Sequence, residues 1–161
     1  MNISDLLIPE LKHETQLNET FLKRVPEDKL SWAPHEKSTK MGVLCAHIVE
    51  LYGYVPAVMN QDGVDMAGYT PPKIVPIGTL LEQLNELAPA AEEALNKDNQ
   101  HYEQPWAMRR GDEVMMEASR YMVLRSTVLN QFPHHRAQLG VYLRLLDVDV
   151  PATYGPSADE A

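Results

Sequence analysis

Cysteine is almost absent from this sequence. The single Cys45 rules out an intrachain disulfide and, among apolar neighbours in an expected helix, reads as a small buried hydrophobe. Positive charge is scarce as well: Lys and Arg number 14 against 23 Asp and Glu, a formal net charge of -9. Such a chain lacks the basic stripe of a nucleic-acid binder, and Arg109, Arg110 and Arg136 are too few to supply one. The acidic surface favours solubility and repels anionic ligands unless a local basic group receives them. No uninterrupted apolar run approaches the roughly 20 residues that span a bilayer, so no membrane partner is expected. The opening residues Met-Asn-Ile-Ser-Asp carry no basic region leading into an apolar run and a small-residue cleavage site, so the expected location is the cytoplasm. Repeats and low-complexity tracts are missing too. What is present is one domain over residues 1–161, of ordinary apolar content and long enough to bury a core.

Apolar spacing predicts four helices and one hairpin. Leu7, Leu11, Leu17, Phe21 and Leu22 mark the first helix, about Ser4 to Arg24, with Pro9 near its start. A connector over Val25–Ser38 comes next, rich in proline and polar residues, with Trp32 as its anchor onto the bundle. Histidines His13, on the first helix, and His35, in the connector, read as solvent-exposed. The second helix, Lys40 to Met59, is expected to be capped by Ser38 or Thr39 and to face inward with Val43, Leu44, Ile48, Leu51, Val55 and Met59. Pro56 is expected to kink or end it. The long irregular loop from Gln61 to Pro76 could cover a site, with Tyr69 a candidate lining residue. The third helix starts near Gly78-Thr79 with a capping box Thr79/Glu82, and Pro89 bends it. Trp106/Met108 and Val114/Met116 alternate around Arg110-Gly111-Asp112, which reads as a hairpin turn rather than an adhesion motif. The last and longest helix runs from Glu117 to Leu146, and the tail from Asp147 to Ala161 should lie extended on the surface.

The chemistry concentrates on that last helix. Leu124, Val128, Gln131, His135, Gln138 and Tyr142 form one stripe, and Gln131 and His135, at i and i+4, point the same way. His47 faces inward on the second helix, with Glu50 one turn on. Converging polar groups in a bundle core need partners: each other, water or a metal. Neutral imidazoles suit zinc, nickel, copper and iron, so His47 and His135 are candidate ligands. Gln131 is the weaker third donor, because an amide oxygen is neutral. Pro133 should break the bond to the Leu129 carbonyl and bend the axis, at a usual cost of about 3 kcal/mol. His134 points roughly 100° away from His135 and is expected at a helix–helix or subunit contact.

The segments Val25–Ser38, Gly42–Ile48 and His134–Arg144, with Val150-Pro151 and Tyr154–Glu160 at the end, resemble the DinB-like metalloenzymes, also called the YfiT-like fold. The resemblance covers nearly the whole chain. It implies an all-α, up-down-down-up four-helix bundle, often a homodimer. It also implies a metal held by one histidine of the second helix and an H-x-x-x-H pair of the last. His47 and His135 match two of these positions; Gln131 stands where the third histidine would be. Characterised members include thiol-dependent transferases and isomerases.

Two functional expectations arise. In the first, a divalent ion, zinc or nickel, held by His47, His135 and Gln131 or water, serves a hydrolase or thiol-dependent transferase. Glu50 orients His47 or acts as a base, and Arg136 receives an anionic substrate or makes a surface salt bridge. In the second, a metal-free bundle keeps the pocket for a small-molecule ligand or acts as a dimeric interaction module.

Overall fold

The computed structural model describes residues 1–160; Ala161, the end of the expected tail, lies outside them. The first helix, α1, spans Ser4–Arg24 and buries Leu7, Leu11, Phe21 and Leu22. Its inward stripe also carries Glu14 and Asn18, both buried. Pro9 lies in the second turn rather than the first, and the helix passes through it.

α2 spans Met41–Asn60, and the expected cap from Ser38 or Thr39 is not made. The connector satisfies the helix start instead: Met41 N–H donates to Trp32 O (2.9 Å) and Gly42 N–H to Leu30 O (2.8 Å). Two of the orphan donors are thereby engaged without a side-chain cap. Trp32 packs edge-on against Tyr142 at 5.6 Å, which pins the connector. The same logic replaces the Thr79 capping box. α3 spans Ile77–Ala94 with Pro76 at its N-cap, and Ile77 N–H donates to Glu27 Oε1 of the connector at 2.8 Å. Neither Pro56 nor Pro89 ends its helix.

A short α4, Asn99–Glu103, leads into the hairpin. β1 (Gly63–Asp65) pairs parallel with β2 (Pro105–Arg110), which pairs antiparallel with β3 (Glu113–Ser119). The hairpin turns at Gly111 with φ 58°, a left-handed conformation that glycine adopts without strain. β1 is an addition to the expected hairpin. Gly63 is needed there, since a Cβ would run into the Ala107 carbonyl.

Residues 117–119 belong to β3, so the last helical segment begins later than expected. It is built in pieces: α5 (Arg120–Leu124), a π turn (Arg125–Leu129) and α6 (Gln131–Leu145). Met122, near the start of α5, is 53% exposed. Arg120 is buried and donates to the carbonyls of Val58 and Gln61, closing the C-terminal end of α2.

The result is a mostly helical fold with a small three-stranded sheet. α2 packs on α3 and α6, and α1 packs on the same two helices. α2 has the length and apolar composition of a membrane span, a property that uninterrupted apolar runs do not register. Most of it is buried within the fold, including Leu44, Ile48, Leu51, Tyr52, Val55 and Met59. The tail does not simply lie on the surface. Asp159 pairs with Arg144, Glu160 with Arg24, and the Tyr154 hydroxyl donates to buried Glu14.

Candidate functional site

His47 projects from α2, and His135 projects from α6 towards it. Their ring centroids lie 4.8 Å apart, with planes at 81°. Both rings are half-buried. His47 stands one helical turn before Glu50, and its Nδ1–H donates to Glu50 Oε2 at 2.8 Å. The Tyr69 hydroxyl, from the loop over residues 61–76, donates to the same oxygen at 3.1 Å. One carboxylate therefore holds an imidazole from below and a tyrosine from above.

Two adjacent cavities share His47 and Tyr69 in their walls. One, of about 270 Å³, is closed by Leu51, Tyr54, Met66, Met108, Ser126, Thr127 and Gln131. The other, of about 290 Å³, is closed by Thr39, Val43, Leu44, Pro71, Pro72, His135 and Gln138. Burial, with the Glu50 charge adding to it, pushes the Tyr69 hydroxyl up to about 12, so it stays a proton donor at neutral pH. Burial also raises the Tyr54 hydroxyl, again with Glu50 acting the same way. The His135 imidazole is held below its ordinary value, chiefly by burial and then by the neighbouring His47 and His134; its bond to Gln138 opposes this.

Gln131 does not share the second cavity with His135. Its amide Nε2–H donates to the Ser126 carbonyl in the π turn at 3.0 Å. The cause is the helix itself. Asn130 N–H bonds the Arg125 carbonyl five residues back, so the turn holds one extra residue and re-aims the side chains beyond it. Pro133 then falls in the first turn of α6, where its missing N–H has no helical partner to lose. The expected kink at Leu129 is replaced by this π turn. His134 is exposed; its Nε2 lies 3.2 Å from Gln138 Nε2. Gln138 Oε1 lies 3.0 Å from His135 Nδ1, so one amide touches both rings.

Arg136 is neither at this site nor on the surface. It is 2% exposed and pairs with Glu14 at 2.6 Å, with Asn18 Oδ1 at 2.8 Å and the Tyr154 hydroxyl at 2.6 Å. Its charge is paired with Glu14 inside the fold, away from the histidine pair. The signal for this cluster lay in α1, where Glu14 and Asn18 interrupt an otherwise apolar stripe. His13 and His35 are exposed, as expected. Met66 and Met108 come to the site without a sequence signal, since loop and strand bring them there, whereas Tyr54 lies on α2 two turns after His47.

The donor set decides what fits. Among the described residues no three His, Cys, Asp or Glu side chains gather as a metal-ligating cluster. Two imidazoles and an amide turned to a backbone carbonyl do not fit a three-histidine centre. The arrangement is suited to hydrogen bonding and proton transfer by His47, whose Nδ1–H is fixed by a carboxylate.

The sequence model of the DinB family matches residues 1–161. No curated protein matches the chain. Among solved structures, a DinB-like protein from Bacillus subtilis aligns with a TM-score of 0.70 at 14% identity, covering 97% of this chain and 99% of its own. A DinB-like protein from Bacillus cereus aligns with a TM-score of 0.65 at 19% identity, covering 89% and 92%. At these identities the likeness establishes the fold.

Proposed function

The chain belongs to the DinB family, and from that premise we propose that it binds and acts on a small molecule with a histidine pair, in place of a three-histidine metal centre. The observation that carries this reading is the Gln131 amide, which is bonded to the Ser126 carbonyl and stands apart from His135. His47 is then the working base. Glu50 fixes its Nδ1–H, leaves Nε2 free to take a proton from a ligand, and stabilises the imidazolium that forms. A thiol-dependent transfer or a hydrolysis would each need such a proton acceptor. Tyr69 and its loop form one wall of the site. An up-down-down-up bundle, a cytoplasmic location and a homodimer belong to the same reading. Exposed Val141 and Leu145 on α6 offer apolar surface for a second copy.

One observation favours a metal. A ligating histidine commonly donates its other ring N–H to a carboxylate, and His47 does so. In that second reading zinc or nickel is held by His47, His135 and a turned Gln131. Metal analysis after purification without a nickel column separates the two. We expect Zn, Ni, Fe and Mn well below stoichiometric in the natural protein, and an unchanged melting temperature on adding metal. Gln131→His should gain metal and a metal-dependent rise in melting temperature. A full equivalent bound by the natural protein overturns the metal-free reading.

A further inference from the structure

We propose that Gln138 is a positioning residue that fixes the tautomer of His135, so that the site accepts ligands bearing a hydrogen-bond donor, cationic amines above all, and rejects anions. The proposal rests on the reading of the cleft as a small-molecule site.

Gln138 has one acceptor and one donor end. Its Oε1 lies 3.0 Å from His135 Nδ1, and its Nε2 lies 3.2 Å from His134 Nε2. A carbonyl oxygen accepts, so His135 must carry its proton on Nδ1. An amide N–H donates, so the facing nitrogen of His134 is a lone pair. The neutral His135 ring therefore keeps Nε2 as an acceptor. Glu50 imposes the same tautomer on His47, because a carboxylate accepts the Nδ1–H. Two imidazoles 4.8 Å apart each keep an acceptor nitrogen with no proton on it. Neither has a donor to offer a ligand.

The walls point the same way. Among the described residues neither cavity is lined by Lys or Arg, so an anion meets no counter-charge. The ionisable carboxylate next to the rings is Glu50, which repels an anion and attracts a cation. Tyr54 and Tyr69 add aromatic surface on which a cation is favoured. The polar partners of a bound ammonium would be the two Nε2 atoms.

The test uses the full chain, stripped of metal with EDTA and checked for metal content. Long-range ¹H–¹⁵N correlation spectra at mildly alkaline pH read which ring nitrogen carries each proton, with rings assigned through His47→Gln and His135→Gln. We expect Nδ1–H on both rings. Gln138→Leu should release His135 to the other tautomer and leave His47 unchanged, which shows that the fold has survived. Benzylammonium and benzoate, matched in shape and opposite in charge, then serve as probes followed by chemical shift. Benzylammonium should bind and Gln138→Leu should weaken it about five- to tenfold, the loss of one hydrogen bond. Benzoate should not bind. An Nε2–H on His135 in the natural protein, an unchanged tautomer in Gln138→Leu, benzoate binding as well as benzylammonium, or binding of neither probe each overturns the proposal. Metal found in untreated protein would sink the metal-free reading alone, since the tautomers are read in the stripped sample.

Discussion

Arg136 and Glu14 are separated by 122 positions in the chain and lie 2.6 Å apart in the fold, both almost wholly buried. A buried ion pair gains little over an apolar pair of the same size, because both charges lose their water. Removing one partner is different, since the other is left as a buried charge without compensation. We expect Arg136→Met to lose about 3–5 kcal/mol of stability in urea unfolding. The double change Glu14→Leu with Arg136→Met should recover much of that. A single-mutant loss under about 1 kcal/mol would mean the pair is screened by solvent after all. The break that Glu14 and Asn18 make in the apolar stripe of α1 signals a buried polar group, but the sequence does not name Arg136 as its partner. Arg136 stands beside His135 on a mixed helix face, and an arginine there suits a surface contact equally well. Its partners, Glu14, Asn18 and Tyr154, come from opposite ends of the chain. His47 and His135 are legible because each sits in step with its helix's own apolar stripe, and both helices meet along those stripes.

At the level of elements, local patterns are legible and non-local ones are not. The β2–β3 hairpin can be read because alternation and an Arg-Gly-Asp turn lie within a dozen residues. β1 cannot, since three residues in a polar loop find their partner strand only through the fold: Gly63 opposes Ala107. The caps of α2 and α3 escape a local reading for the same reason, as carbonyls of the connector and Glu27 satisfy those N–H groups from a distance. The π turn has no sequence signature of its own, and it changes the meaning of Pro133. A proline in mid-helix costs about 3 kcal/mol, whereas one in a first turn costs little. We therefore expect Pro133→Ala to change stability by less than about 1 kcal/mol in either direction. A gain near 3 kcal/mol would show that the proline is straining α6.

Across the whole molecule, the tail joins α1 to α6. Asp159 is held below the usual carboxylate range, first by its bond to Arg144 and then by the Val150 N–H. Its folded value lies below the unfolded one, so its contribution is complete above the unfolded value of about 3.9 and disappears as pH falls through the lower folded value. The tail should remain docked from neutral pH to about 5 and loosen in more acid solution. Exchange protection at the Val150 and Ala152 amides, which donate to Asp159 and Glu160, reports this directly. Asp159→Asn should lower Val150 protection already at neutral pH. Protection unchanged by the variant would show that the apolar contacts of Val150 and Pro151 hold the tail unaided.

The Glu14 cluster also bears on the order of events during synthesis. α1 leaves the ribosome early, yet its inward face holds a carboxylate whose partners, Arg136 and Tyr154, emerge more than a hundred residues later. Until then α1 can dock only by burying an unpaired charge, which the growing chain avoids by keeping that helix in water. We therefore expect folding to be deferred until the last helix and tail arrive, with apolar α2 exposed through that interval, as protease sensitivity of ribosome-bound chains ending before residue 136 would show.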